Sequence, residues 1–308
     1  MTRFPAKLLL FGEYSVLIGS SAMGMQYPRF GGELGMPGKA GPSEDEAESN
    51  LKLASMLTAF RERRTEVGEI LDLAKLGRDI RKGLFFHSDI PLQYGLGSSG
   101  ALCAALYEAY IRPGREESWN LPRLRQQFGI LESVFHGTSS GFDPLLSHAG
   151  SALVLKNTGQ IERADISWLF APASGLTLFL LDSGTPCGTR TPVGSFMQNF
   201  SDHGPRSTEG ALYSSLVNES IEFILGHNVI GLFERVRMIG AFQLTTLPEL
   251  IPPGLHGLWR QGMETGLFSL KLCGSGGGGY IYCFTRRPEE TVRILESTGL
   301  RRMIISSS

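Results

Sequence analysis

Three glycine-rich segments hold the residues of this chain that are best suited to bind or transfer a charged group. The first is Tyr94–Gly100, which reads Tyr-Gly-Leu-Gly-Ser-Ser-Gly and leads into a helix-forming stretch ending at Tyr110. Glycines let a backbone approach a ligand closely, and a helix that begins near Ser98 points free N–H groups at an anion in the loop. The hydroxyls of Ser98 and Ser99 could bind a phosphate oxygen or Mg²⁺, or simply cap the helix.

The second segment supplies two carboxylates. Glu132 lies at the end of an amphipathic helix, off its apolar face, and Asp143 lies in a turn beyond Gly141. Two carboxylates in different surroundings can take different roles, one holding a metal ion and the other handling a proton. The alternative is a solvent-exposed Glu and an Asp that accepts hydrogen bonds from turn amides. His136, considered alone, is expected to be a packed or hydrogen-bonded turn residue.

The third segment is Gly274–Gly279, in which five of six residues are glycine. Each glycine costs backbone entropy on folding, so ordinary packing does not explain such a run. Close approach of this backbone to a ligand or to another backbone is the better explanation.

Two motif matches fail on their context. Gly274–Gly279 fits the dinucleotide-binding pattern GxGxxG, but it precedes a predicted strand, whereas that pattern must open a helix. Gly137–Gly141 fits the hydrolase elbow GxSxG, with Ser139 as the nucleophile. That elbow joins a strand to a helix, whereas a helix precedes this one and no obvious helix starts at residues 142–144.

The elements that must position these segments mix helices and strands without regular alternation, which predicts an α+β fold with a boundary near Pro172–Gly175. A solvated loop is expected over residues 31–50 because Gly, Pro and acidic residues are frequent there. The remaining predictions are strands at 7–11, 14–18, 84–89, 151–155, 176–181, 280–284 and 302–305, and helices at 51–64, 98–110, 121–135, 207–225 and 288–297.

Composition narrows the class of protein. The chain has 308 residues, a formal net charge of -1 and no basic stripe, so a nucleic-acid partner is not expected. The four cysteines form no CxxC pair, which argues against a zinc site or a disulfide framework. No apolar run approaches the roughly 18 residues of a membrane span. We therefore expect a cytoplasmic protein without membrane contact. The expected oligomeric state is a monomer or a homodimer.

Taken in order along the chain, these segments resemble those of the GHMP small-molecule kinases. Lys7-Leu-Leu-Leu-Phe-Gly-Glu13, His136-Gly-Thr-Ser-Ser-Gly-Phe-Asp143 and Lys271-Leu-Cys-Gly-Ser-Gly-Gly-Gly-Gly279 look most like the mevalonate-kinase branch, closest to its short bacterial forms. The resemblance covers nearly the whole chain. It implies an N-terminal domain resembling ribosomal protein S5 domain 2 at residues 1–174 and a ferredoxin-like C-terminal domain at residues 175–308.

The resemblance also implies a function, in which ATP and Mg²⁺ serve to phosphorylate the hydroxyl of a small alcohol, with mevalonate expected. Asp143 would be the catalytic base, Lys7 would stabilise it, and Ser99 and Glu132 would hold Mg²⁺. The other implied site residues are Gly95, Leu96, Gly97, Ser98, Ser99 and Gly100 at the ATP phosphates, Glu13, Tyr14, His136, Thr189 and Arg190 at the acceptor, and Gly274, Ser275, Gly276 and Gly277 in the C-terminal glycine loop.

The chain departs from the family pattern at four places. Ala6 replaces a glycine before Lys7, Tyr14 replaces a histidine, Gln93 replaces a glycine, and Cys187 stands where a basic residue is frequent. Tyr14 and Cys187 would lie on the acceptor side, so phosphomevalonate, a sugar or an amino alcohol are alternative acceptors. A catalytically silent nucleotide or metabolite sensor is the alternative of another class, although the residues implied for catalysis and metal binding are all present.

Overall fold

The computed structural model describes residues 2–115, 120–187, 208–274 and 276–305, without the side chains of Arg64 and His136. Contacts between Cα atoms divide the chain into two compact units. Unit 1 comprises Met1–Lys7, Met25–Pro91 and Leu96–Ser151, and unit 2 comprises Leu8–Gly24, Leu92–Gly95 and Ala152–Ser308. The predicted domain boundary between residues 174 and 175 stays a prediction.

Helices and strands are intermixed, as expected for an α+β fold. The strands are β1 (Phe4–Phe11), β2 (Ala22–Gly35), β3 (Phe85–Ser88), β4 (Ala152–Leu155), β5 (Ile161–Ala164), β6 (Thr177–Asp182), β7 (Phe268–Leu272), β8 (Tyr280–Thr285) and β9 (Arg302–Ile304). The α-helices are α1 (Glu44–Glu62), α2 (Arg64–Ile70), α3 (Leu73–Arg81), α4 (Ser98–Tyr110), α5 (Leu121–His136), α6 (Phe142–His148), α7 (Thr208–Leu225), α8 (Val229–Thr246), α9 (His256–Thr265) and α10 (Pro288–Ser297).

Unit 1 packs helices α1 to α6 with strands β2 and β3. The two strands are antiparallel, with Gly32 opposite Ser88 and Gly35 opposite Phe85. A side chain on Gly32 would collide with the ring of Phe86, so glycine is required where this ring crosses the strand. Helix α4 buries many small side chains, and small residues allow helix α6 to approach it closely.

Unit 2 is built on a four-stranded antiparallel sheet in the order β7-β8-β6-β9. The residues of β7 and β8 are buried throughout, so these strands form the centre of the core. Helix α8 lies close to β7 because Gly240 faces Leu270, whose carbonyl oxygen would lie 2.6 Å from an added Cβ. The indole of Trp259 in α9 donates a hydrogen bond of 2.9 Å to the carbonyl of Gly240 and so joins α9 to α8.

The predictions for residues 14–18 and 31–50 are wrong. The predicted strand 14–18 is a 3-10 helix, Ser15–Ile18, which ends at Gly19 with a φ of 97°. The predicted loop 31–50 contains the end of β2 and the start of α1. Glu44, Asp45 and Glu46 belong to the first turn of α1, where they favour the helix dipole, and Ser43 and Glu46 form a capping box.

The described cysteines are all free thiols. Cys103 and Cys283 are buried in apolar surroundings, and burial raises the pKa of both thiols. Among the described helices, none is both long and apolar enough to cross a membrane.

Candidate active site

Lys7 and Asp143 form an ion pair inside unit 1. The Nζ atom of Lys7 lies 2.8 Å from Oδ2 of Asp143. The lysine side chain is only 5% exposed, whereas the aspartate side chain is 36% exposed. Strand β1 supplies the lysine, and the first turn of α6 supplies the aspartate after the left-handed turn at Gly141. The pair therefore combines a fixed buried cation with a carboxylate that a solvent-borne molecule can reach.

Residues 96–100, the part of the predicted phosphate loop that belongs to unit 1, are packed around this pair. The amide of Lys7 donates a hydrogen bond of 2.9 Å to the carbonyl of Leu96. A Cβ on Gly97 would lie 2.7 Å from the Lys7 side chain, and one on Gly100 would lie 3.0 Å from the carbonyl carbon of Asp143. Helix α4 begins at Ser98, as predicted, with Gly97 as its N-cap in the left-handed conformation. These glycines thus bring the loop directly against both members of the pair.

Glu132 lies beside the pair and is buried, which differs from the expectation of a residue off the apolar face. Ser99 donates a hydrogen bond of 3.3 Å to Oε1 of Glu132, and Ser139 donates one to Oε2. Burial and, second, the charge of Asp143 raise the pKa of Glu132 to about 7, although the bonds from Ser139 and Ser99 and the charge of Lys7 lower it. Two acidic groups here share one buried cation.

This arrangement fits a bound Mg²⁺. The hydroxyl of Ser99 and a carboxylate oxygen of Glu132 are oxygen donors of the kind that Mg²⁺ prefers. Their separation of 3.3 Å is close to the roughly 3 Å between neighbouring ligands of an octahedral site at 2.0–2.1 Å. A divalent cation would also neutralise a carboxylate that burial disfavours in its ionised form. Among the described residues, no group of three or more His, Cys, Asp or Glu side chains forms a metal cage.

Ser139 is a site residue to which the sequence analysis assigned no role. It was weighed only as a hydrolase nucleophile, and that role was rejected, but its hydroxyl donates to Glu132 and also accepts from the amide of Gly141. A helix does start at Phe142, contrary to the expectation, yet helix α5 precedes the turn where the elbow needs a strand. The position of Ser139 between the two carboxylates was the signal available in the sequence.

Within unit 2, the C-terminal glycine run packs against Tyr94 and Gly95, where the predicted phosphate loop begins. A Cβ on Gly95 would lie 3.0 Å from the carbonyl oxygen of Cys273, and one on Gly274 would lie 3.1 Å from Cα of Gly95. A Cβ on Gly279 would lie 2.8 Å from Cα of Tyr94. The described glycines of this run therefore serve close backbone packing, one of the two explanations that the sequence suggested.

Three further loop residues also have backbone roles. The amide of Gly277 donates a hydrogen bond of 2.6 Å to the carbonyl of Leu250, and Gly276 packs on the same residue. Gln93, which replaces a glycine, has a φ of 63°. The backbone thus keeps a left-handed conformation there although the side chain is not glycine.

Glu13, expected at the acceptor, is paired with Lys271 inside unit 2. The glutamate side chain is 1% exposed and the lysine side chain 0%. Tyr14, also expected there, is buried, and burial, followed by the charges of Cys187 and Glu13, raises the pKa of its phenol well above the usual range. The assignment of Glu13 and Tyr14 to an acceptor stays a prediction.

Lys271 begins one of the motifs named in the sequence analysis, but no role was assigned to its side chain. A lysine within the mostly apolar strand Phe268–Leu272 was the signal for a buried charge. Three other predicted site residues, Thr189, Arg190 and Ser275, lie outside the described residues. The backbone of His136 ends α5, and its side chain lies outside the described part.

The chain is similar to known proteins in both sequence and fold. Residues 56–150 match the family described as GHMP kinases N terminal domain. The mevalonate kinase of Pyrococcus horikoshii is 27% identical over 96% of this chain and 91% of its own. The structure of L. major mevalonate kinase in complex with R-mevalonate has a TM-score of 0.65 at 16% identity, covering 99% and 95% of the two chains.

The fold is also similar to that of a second solved structure. Streptococcus pneumoniae phosphomevalonate kinase in complex with phosphomevalonate and AMPPNP has a TM-score of 0.64 at 14% identity, covering 99% of each chain. At such identities the structures show the fold alone. The expected α+β, two-domain GHMP kinase fold is confirmed, and so is the resemblance on which it was based.

Proposed function

We propose that this chain, which has the GHMP kinase fold and carries the N-terminal domain of those kinases at residues 56–150, uses Mg-ATP to phosphorylate the hydroxyl of mevalonate. The observation that carries the proposal is the 2.8 Å ion pair between Lys7 and Asp143, with Ser99 and Glu132 beside it. Phosphoryl transfer asks a protein mainly to position groups and to stabilise charge. This cluster offers both functions in one unit.

Asp143 is the group that accepts the proton of the attacking hydroxyl. Its carboxylate is the more exposed member of the pair, so an acceptor hydroxyl can reach it. Lys7 is held in place by its own backbone bond to Leu96 and by the contact with Gly97. Its fixed charge lowers the cost of negative charge on the acceptor oxygen as the proton leaves.

Ser99 and Glu132 are the residues that hold Mg²⁺, and Ser139 orients the glutamate by its hydrogen bond to the second carboxylate oxygen. When bound, the metal ion would offset the negative charge that accumulates during phosphoryl transfer. The N-terminus of α4 points free amides toward the loop that starts this helix, which suits the phosphates of ATP. One solved structure of this fold contains an ATP analogue.

Mevalonate is the proposed acceptor because curated relatives at 26% and 27% identity, aligned over more than nine tenths of the chain, are mevalonate kinases. Identity at this level leaves room for a change of acceptor, since one fold hosts many substrates. Tyr14 and Cys187 depart from the family pattern at positions expected near the acceptor, so they bear on this choice. Both residues lie in unit 2.

The proposal is tested by ADP release from Mg-ATP with mevalonate, phosphomevalonate, galactose and homoserine as acceptors. Turnover with mevalonate alone is expected. Asp143→Asn should lower kcat by about 10²–10⁴-fold without loss of ATP binding, because the general base is removed. Asp45→Asn, at an exposed position of α1, is the matched control and should leave kcat unchanged.

The other outcomes separate the alternatives. Turnover with a different acceptor would retain the kinase chemistry and reject mevalonate. ATP binding without turnover on all four acceptors would favour a sensor. Near-normal turnover of Asp143→Asn would show that another group takes the proton.

A further inference from the structure

A buried network in unit 2 connects Lys271 to the backbone that enters the glycine run. The ammonium group of Lys271 bonds to the carboxylate of Glu13 and donates a hydrogen bond of 2.9 Å to the carbonyl oxygen of Leu272. The rings of Phe11 and Tyr282 lie 5.3 Å and 5.0 Å from the same nitrogen atom. A full charge is therefore held away from water by one carboxylate, one carbonyl and two aromatic faces.

The other backbone group of Leu272 is held as well. Its amide donates a hydrogen bond of 3.0 Å to Oε1 of Gln243, and Nε2 of Gln243 donates one of 3.0 Å to the hydroxyl of Tyr213. Tyr213 in turn stacks on Phe242 with ring centroids 4.7 Å apart. Because Gln243 and Lys271 are completely buried, both groups of Leu272 are fixed by side chains that cannot exchange their bonds for water.

Leu272 immediately precedes the residues that touch Gly95. The carbonyl oxygen of Cys273 and Cα of Gly274 lie 3.0 Å and 3.5 Å from the position of a Cβ on Gly95. A displacement of Leu272 would therefore be transmitted through one residue to the glycine that starts the predicted phosphate loop. Because these backbones are closely packed, a shift of one is expected to displace the other.

We propose that Lys271 and Glu13 act as positioning residues for ATP: through Leu272 they fix the backbone of Cys273 and Gly274 against Gly95, the first residue of the phosphate loop. Neither side chain touches ATP or the acceptor. The inference rests on the proposed kinase function and replaces the expected contact of Glu13 with the acceptor.

The test uses a variant in which both charges are removed together. Replacement of a buried ion pair by apolar or neutral groups of similar size is often neutral for stability, whereas removal of one partner is not. The double variant Lys271→Met/Glu13→Gln is therefore expected to fold. Its dissociation constant for Mg-ATP, measured by calorimetry without acceptor, should rise about 10-fold or more, since small misplacements of a binding group are costly. Its KM for the acceptor should stay within about 2-fold.

A matched control exists in the same unit. Lys156 and Glu162 form an exposed pair with 2.6 Å between nitrogen and oxygen, and Lys156→Met/Glu162→Gln removes the same two charges. This control should leave ATP affinity and both KM values unchanged. Gln243→Met supplies a second route to the same backbone without removal of a charge, and it should weaken ATP binding in the same selective way.

Three other outcomes overturn the inference. Unchanged ATP affinity in a folded double variant would show that the pair only stabilises unit 2. A rise in the acceptor KM alone would return Glu13 to the acceptor. Failure of both Lys271→Met/Glu13→Gln and Gln243→Met to fold would assign the network to stability. If the wild-type protein binds Mg-ATP but phosphorylates no acceptor, the proposed function fails while the effect on ATP affinity can still be measured.

Discussion

Each unit contains a lysine that is buried in an apolar strand and paired with a carboxylate, yet the two pairs differ in what surrounds them. Lys7 faces Asp143, whose side chain is 36% exposed, whereas Lys271 faces Glu13, which is 1% exposed. Lys7 also lies near a second acid, Glu132. Lys271 instead lies between aromatic rings. The exposure of the carboxylate distinguishes a pair that can meet a substrate from a pair that can only hold structure.

The comparison is tested most strongly by removal of the buried charge in unit 2. Lys271→Met leaves the carboxylate of Glu13 buried without its cation, so we expect a loss of about 3–5 kcal/mol in the free energy of unfolding. Chemical denaturation followed by circular dichroism measures this loss. A loss below about 1 kcal/mol would mean that Glu13 finds water or another partner, and the two pairs would then be alike.

Removal of Lys7 from its pair with the partly exposed Asp143 should lower catalysis instead. Lys7→Met is expected to lower kcat by about 10²–10³-fold, the usual effect of losing one preorganised charge-stabilising group. Its free energy of unfolding should change less than that of Lys271→Met, because Asp143 retains access to water. Steady-state kinetics and denaturation of the same preparation measure both quantities. Equal destabilisation by the two variants would contradict the distinction.

The raised pKa of Glu132 should make the free energy of unfolding depend on pH. Because the folded-state pKa is raised to about 7 from an ordinary value of 4.5, the folded protein binds more protons than the unfolded chain between these values. Stability contributed by the protonated form is therefore present below about pH 4.5 and is lost as pH rises through about 7. Glu132→Gln should be more stable than the wild type by about 1–3 kcal/mol at pH 8, without added Mg²⁺.

The control for this prediction is the same comparison at low pH. At pH 5 the gain in stability of Glu132→Gln should largely disappear, since the wild-type carboxyl is then protonated in the fold. The variant should also lose the dependence of its rate on Mg²⁺ concentration if Glu132 holds the metal ion. Higher stability together with lower activity is the signature expected of a group retained for function.

The smallest effect is expected at Gln93. Its φ of 63° is a conformation that glycine adopts without strain and other residues adopt at a cost. Gln93→Gly should change the free energy of unfolding by at most about 1 kcal/mol, in the stabilising direction, because the relief of strain is partly offset by the entropy of the unfolded glycine. Thermal unfolding of the variant beside Gln93→Ala measures it. Marked destabilisation would mean that the Gln93 side chain holds the loop.

Local patterns in the sequence were sufficient to predict many of the helices and strands and to single out three residues of the candidate site. The strand with Lys7, the helix that begins at Ser98 and helix α10 were all predicted from runs of apolar or helix-forming residues. Ser99, Glu132 and Asp143 were singled out because they border glycine-rich turns. The structure brings these three side chains and Lys7 into one cluster within unit 1.

Contacts across long stretches of sequence were not predictable in the same way. Glu13 and Lys271 are 258 residues apart, and no periodicity connects them. The glycines at 95 and 274 meet because two backbones cross, which a composition count cannot show. The acidic start of α1 was mistaken for a loop because the same residues favour solvent in a coil and the dipole at a helix start.

The order of segments along the chain limits how this molecule can be cut. Residues 8–24 and 92–95 belong to unit 2, although they precede Ser151, where the last segment of unit 1 ends. No single cut therefore releases unit 2 complete. A gene shortened after residue 151 encodes all of unit 1 together with residues 8–24 and 92–95, which have lost the rest of their own core. Isolation of either unit requires rearranged or co-expressed pieces of the coding sequence.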